Sequence, residues 1–192
     1  MTKEEVLIQY KELYQIANIG VELENIVDIE QLQKTPVLIN KDSGLAYDGA
    51  LIYYSLTMWF YAKKLQPIYS SIHNVDLQSL AKIIVLQPLG KIGMYQPNDN
   101  EWEVNKLGKI YKFTEKSVCL KSGDYAKILC SNAGVTFTLD EYEAMGVLDK
   151  TFEEFEKSRM YLTPLSILFK MCHDFVIYFA KTKYKNTNKN SQ

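Results

Sequence analysis

The segment from Gly49 to Leu65 constrains this chain more than any other. Leu51, Ile52, Tyr53, Leu56, Met58, Trp59 and Phe60 leave almost no polar side to the helix that their spacing predicts. A helix that is apolar nearly all round belongs inside a protein, so the rest of the chain must wrap it. With 192 residues, 47% of them hydrophobic, there is enough chain to do this as one domain without disulfides or a structural metal. The aromatic run Tyr53, Tyr54, Trp59, Phe60 and Tyr61 is expected to fill that core. It is a poor stacking platform for bases because no basic stripe interleaves it.

The wrapping elements are predicted mostly helical. Thr2 and Glu5 have the spacing of a capping box, and Val6, Leu7, Tyr10, Leu13, Tyr14 and Ala17 follow on one helical face until Gly20. Ile26, Val27, Ile29 and Leu32 suggest a short helix before a loop punctuated by Pro36 and Gly44. A fourth helix runs from about Asp76 to Leu86 and meets Pro88. Between Ile92 and Phe113, KIGMY, EWEVN and KLGKIYKF read as short extended pieces around the turn Pro97 to Asn100 and Gly108, a β-hairpin. Helical periodicity returns from Glu115 to Ser131, with Val118, Leu120, Tyr125, Ile128 and Leu129. Thr138 and Glu141 give a second capping box, which starts a helix near Leu139. A last helix is predicted from Thr163 to Lys181, with Leu165, Leu168, Phe169, Cys172, Val176 and Phe179 inward. The expected fold class is mainly α: N-terminal helices over 1–34, a helical bundle over 35–180 with a small β-hairpin insertion around 92–113, and a flexible polar tail over 181–192.

Composition then removes whole classes of function. Asp and Glu number 23 against 22 Lys and Arg, a net charge of −1, so no nucleic-acid partner is expected. Lys181, Lys183, Lys185 and Lys189 are read as a solvated tail. The stretch Pro164 to Ala180 is interrupted by Lys170, His173 and Asp174, too polar for a membrane span, and the charged N-terminus has no leader-like apolar core. A cytoplasmic location is the expectation. Cys119, Cys130 and Cys172 show no CxxC spacing and are expected to be reduced, buried thiols without nucleophilic activation. The two histidines, His73 and His173, exclude any site that needs three imidazoles.

Five stretches, in order, resemble the HD-domain superfamily, specifically its small phosphohydrolase-like proteins. The segment from Tyr47 to Leu56 is similar to the family pattern Y-x-G-G-L-x-x-H-S-L. Gln87-Pro88-Leu89-Gly90-Lys91-Ile92-Gly93-Met94-Tyr95-Gln96-Pro97-Asn98 resembles H-D-x-x-K-I-x-M-Y-x-P-N. Lys112 to Val118 resembles G-H-G-E-K-S-V, Glu143 to Gly146 resembles W-H-M-G, and His173-Asp174 falls on the closing A-D. The resemblance spans roughly residues 35 to 180. It implies a helical bundle in which histidines and aspartates hold one or two divalent metals that activate water against a phosphate ester.

Position by position, the ligands that the resemblance implies are replaced. Tyr54 stands for the first histidine, Gln87 and Pro88 for the His-Asp pair, and Phe113 and Ala144 for the accessory histidines. Only Asp174 matches. A phenol of pKa near 10, an amide, a phenyl ring and a methyl group cannot do the work of imidazole. No catalytic residue, metal ligand or cofactor is therefore expected. Tyr54, Gln87, Pro88, Phe113, Ala144 and Asp174 are expected to outline a vestigial pocket, filled by Tyr54, Gln87 and Phe113. Asp174 is read as a hydrogen-bonded core carboxylate and His173 as a surface residue, because adjacent helical positions point about 100° apart.

Three functions compete. One is a catalytically inactive HD-like module for interaction or ligand sensing, with a protein or a small phosphorylated molecule as partner. The second is a phosphohydrolase with a rebuilt magnesium site around Asp174, Gln87 and Lys91. The third is metal-free binding of a nucleotide or phosphate by Lys91 and Lys116. Against it stands the ordinary alternative that both lysines lie on solvated faces or in structural ion pairs.

Overall fold

The computed structural model describes residues 2–115, 120–151, 153–154 and 162–189, and side chains as far as residue 186 in the last helix. Lys116 and Cys119 lie outside the described residues. Helix α1 (Lys3–Ile16) starts at the Thr2–Glu5 capping box, and Asp28 caps the short α2 (Ile29–Lys34). Helix α3 (Ala50–Tyr69) is followed by α4 (Leu77–Leu86), which Asp76 caps by accepting from the Ser79 N–H. Strands β1 (Tyr95–Pro97) and β2 (Tyr111–Phe113) pair antiparallel around α5 (Glu101–Leu107). Helices α6 (Ser122–Asn132), α7 (Leu139–Gly146) and α8 (Pro164–Lys189) follow. The fold is mainly α with a small antiparallel hairpin, as the periodicities require.

Helix α3 occupies the centre, with α1, α2, α4 and α8 packed against it. Leu51, Tyr54, Met58 and Ala62 are sealed from solvent. The core then spreads through Tyr10 and Leu13 of α1, Leu80, Ile83 and Ile84 of α4, and Leu168, Phe169 and Cys172 of α8. Tyr10 also ties α1 to α4 by donating its hydroxyl to the Val85 carbonyl at 3.0 Å. The aromatic run divides, however: Tyr54 and Trp59 are buried, Tyr53 and Tyr61 are half-buried, and Phe60 is exposed. Phe179 also turns outward, and Ala180 takes the buried position beside it.

Several boundaries differ from expectation for physical reasons. EWEVN is helical, because the Asn100 side chain accepts from the Trp102 and Glu103 N–H groups and Gly108, at φ +65°, closes the last turn. The hairpin is therefore two short strands separated by one helix. Helix α6 begins at Ser122 rather than Glu115, and its cap comes from a distant residue: Asp149 accepts from the Gly123 N–H at 2.6 Å and the Ser122 hydroxyl at 3.2 Å. Helix α3 passes Leu65 and runs through Pro67, which forfeits one intrahelical bond. Helix α8 continues past Lys181 to Lys189, so the region read as a tail is helical through that residue.

Beyond Leu86 the chain tightens into a 3₁₀ turn, Gln87–Lys91, with Pro88 at its start. This turn packs closely on α6. A Cβ on Gly90 would sit 1.8 Å from the Ser122 carbonyl oxygen, so only glycine allows the approach. Gly123 makes the corresponding contact with α7, where a Cβ would lie 2.1 Å from the Met145 carbonyl. The two contacts fix Gln87 and Lys91 on a rigid base.

Candidate functional site

The structure brings some of the expected pocket together and disperses the rest. Tyr54 is buried at the centre of α3, Gln87 is buried at the start of the 3₁₀ turn, and Pro88 and Ala144 are sealed in the core. Phe113 does not fill a pocket. It lies 54% exposed on β2, its ring 5.2 Å from that of Tyr95, because the hairpin places this strand residue on an outer face.

His173 and Asp174 exchange the roles expected of them. His173 points inward, and its Nδ1 shares a 2.5 Å hydrogen bond with the Tyr54 hydroxyl. Asp174 faces outward and pairs with Lys170 four residues earlier at 2.9 Å. Helical phase explains the swap. His173 lies four residues after Phe169 and three before Val176, both buried, whereas Asp174 shares its face with Lys170. This signal was present in the sequence, but the motif alignment favoured the aspartate.

Burial governs the electrostatics here. It pushes the His173 imidazole down to about 4, with the Asp174 carboxylate opposing and the Lys170 and Lys91 ammoniums adding to the depression. His173 is therefore a neutral ring at physiological pH. Burial also raises the Tyr54 phenol, and the nearby Asp174 charge raises it further. The Lys91 ammonium is pushed below the usual lysine range by desolvation, against the favourable field of Asp149. Lys91 forms no ion pair among the described residues; its Nζ sits 5.8 Å from the centre of the Tyr95 ring.

The Gln87 side chain carries the sharpest anomaly. Among the described residues, its Nε2 and Oε1 are both buried without a hydrogen-bond partner, as is the Ser55 hydroxyl on α3. Each orphaned polar group of this kind costs about 1–3 kcal/mol, so natural folds keep few of them. Ser55 falls on the serine of the pattern that the Tyr47–Leu56 segment resembles, but it was not singled out as a site residue.

Lys91 opens onto a surface pocket of about 380 Å³, which Lys34, Asp48, Tyr95 and Tyr111 also line. Tyr111 donates to the Asp48 carboxylate at 2.7 Å across that pocket. Tyr54, Gln87 and His173 do not line it. The lysine that accompanies Lys91 is thus Lys34 of α2, which no motif indicated.

A divalent metal does not fit this donor set. Around Tyr54 the groups are a phenol, a neutral imidazole whose Nδ1 is already hydrogen-bonded, and an amide, while the one carboxylate in the motif faces away. Among the described residues, no three His, Cys, Asp or Glu side chains cluster in a metal-binding arrangement. Cys130 and Cys172 are buried, and burial pushes both thiols up to about 12, so neither is a ready nucleophile. Among the described residues, no helix is long and apolar enough to cross a membrane. No family model, curated protein or solved structure matches the chain.

Proposed function

We propose that this chain is a catalytically inactive HD-like domain that works as a ligand-sensing or interaction module in the cytoplasm, without a metal or other cofactor. The observation that carries the proposal is the Tyr54–His173 hydrogen bond, which occupies the position where the HD resemblance places a metal ligand. A hydrolase would need a carboxylate there, and Asp174 is engaged outside with Lys170. Metal analysis of the purified chain after incubation with manganese, iron, zinc and magnesium provides the test. The expected result is less than stoichiometric metal and no phosphoester turnover above background. Stoichiometric metal, or turnover that Asp174→Ala removes, would establish the rebuilt phosphohydrolase instead.

One specific observation favours metal-free binding of a phosphorylated small molecule as the ligand-sensing mode. Lys91 is desolvated, unpaired among the described residues, and opens with Lys34 onto a pocket large enough for a small phosphate ester. An anion there would restore the charge stability that burial removes from Lys91. A panel of nucleotides and sugar phosphates should raise the melting temperature of the parent chain and leave Lys91→Met unchanged. No shift with any member of the panel would exclude this mode. Lys116, the other lysine expected in this role, lies outside the described residues.

A further inference from the structure

Helices α3 and α8 share an outer face that combines exposed apolar side chains with positive charge. Helix α3 contains no Asp or Glu, and the single acidic residue of α8, Asp174, is neutralised by Lys170. On α3, Phe60, Lys64 and Ile68 follow at four-residue spacing, with Phe60 54% and Ile68 71% exposed. On α8, Phe175 and Tyr178 are 46% and 75% exposed, and Lys181 and Lys185 continue the same stripe. Aromatic contacts weld the two stripes together: Tyr61 stacks on Phe175 at 5.4 Å, and Phe60 meets Tyr61 edge-on at 5.5 Å. Lys63 and Lys64 are exposed, with their ammoniums 5.7 and 5.9 Å from the Trp59 and Phe60 ring centres.

We propose that this α3–α8 face docks on an anionic bilayer surface. Phe60, Ile68, Phe175 and Tyr178 enter the interfacial layer, while Lys63, Lys64, Lys181 and Lys185 meet the lipid phosphates. The charge pattern selects this occupant. The whole chain carries −1, whereas α3 has no acidic residue and the one on α8 is paired, so this face is locally cationic and matches a negative surface. A second copy docked through the same face would bring these ammoniums against their own images. No basic stripe interleaves the aromatic run along α3 itself, but packing of α3 on α8 sets rings and ammoniums side by side, which suits a headgroup layer where lysine stems lie along apolar surface and their heads reach outward to phosphate. This is peripheral attachment, independent of the Lys91 pocket.

Co-sedimentation of the full chain with extruded vesicles tests the proposal, using phosphatidylcholine alone and phosphatidylcholine with about one-third phosphatidylserine. The chain should pellet with the anionic vesicles, remain in solution with the neutral ones, and be released as salt rises. Phe60→Ser combined with Tyr178→Ser, and separately Lys63→Glu combined with Lys64→Glu, should each reduce partitioning by about tenfold or more. These positions are exposed, so helicity and melting temperature should match the parent. Equal binding to neutral and anionic vesicles, binding to neither, or full binding by both folded variants would overturn it. If vesicles do not bind and light scattering shows a dimer that Phe60→Ser/Tyr178→Ser breaks, the face belongs to a second copy and the proposal is wrong.

Discussion

Two buried polar regions of this molecule are built on opposite principles. Between α4 and α7, Lys82 pairs with Glu141 at 2.7 Å, and the same ammonium donates to the Thr136 carbonyl. Glu141 also accepts from the Thr138 N–H and is only 4% exposed. Burial raises its carboxyl, but the hydrogen bonds from Lys82, Thr138 and Ser79 outweigh that and hold it below the usual range. Around α3 and the 3₁₀ turn, by contrast, Gln87 and Ser55 are buried without partners and Lys91 is desolvated without an ion pair among the described residues. A completed network holds two helices in register. An incomplete one costs stability and gains nothing structural; of its members, Lys91 alone lines the surface pocket where a ligand is proposed.

The largest effect should come from the completed network. Glu141→Gln removes the charge opposite a half-buried ammonium and should destabilise by about 3 kcal/mol, read from the midpoint of urea unfolding. A loss within experimental error would show that the pair is solvated and would dissolve the contrast. Lowering the pH should act on the same pair. Because the folded-state pKa of Glu141 is depressed, its contribution is present above the unfolded value and is lost as pH falls through the folded one.

The second effect is also a pH effect, of similar or smaller size. The folded-state pKa of His173 is about 4, below the unfolded 6.5, so the native state resists protonation. Its contribution is complete above pH 6.5 and declines as pH falls toward 4, by up to about 3 kcal/mol. Tyr54→Phe should leave Nδ1 unpartnered and alter this slope, measurable by urea titration at several pH values. An unchanged slope would show that burial, and not the Tyr54 hydrogen bond, sets the His173 pKa.

Gln87→Leu sharpens the comparison from the other side. Replacing an orphaned amide with an apolar side chain should raise stability by about 1–2 kcal/mol and leave the Lys91 pocket, which Gln87 does not line, unchanged. A destabilised variant would mean that the amide has a partner after all. The smallest effect is expected at Asp174→Ala, below about 0.5 kcal/mol, because its exposed pair with Lys170 is worth little.

Much of the architecture was legible without coordinates. Helix α3 could only be central, and both capping boxes, at Thr2 and Thr138, form as their spacing requires. The misreadings have identifiable causes. Reading Glu101–Asn105 as an extended piece after a turn ending at Asn100 overlooked that Asn100 is an N-cap followed by the acidic first-turn residues Glu101 and Glu103. Assigning Asp174 inward followed a motif, although its i+4 relation to Lys170 and the phase of Phe169 and Val176 already turned His173 toward the core. The site was less legible because Tyr54 and His173 are 119 residues apart, and no local pattern records such a contact.

What the sequence determined by itself was most of the helices, the caps supplied by neighbouring residues such as Thr2 and Thr138, and the scarcity of imidazole, since these depend on local backbone hydrogen bonding and on counting. What only the tertiary structure decided was which polar groups found partners. That depends on distances between elements far apart in the chain, such as Asp149 reaching back to cap α6 and Gln87 enclosed without a donor or acceptor among the described residues. A buried amide is the same residue in the sequence whether satisfied or not, and only packing sets its free energy.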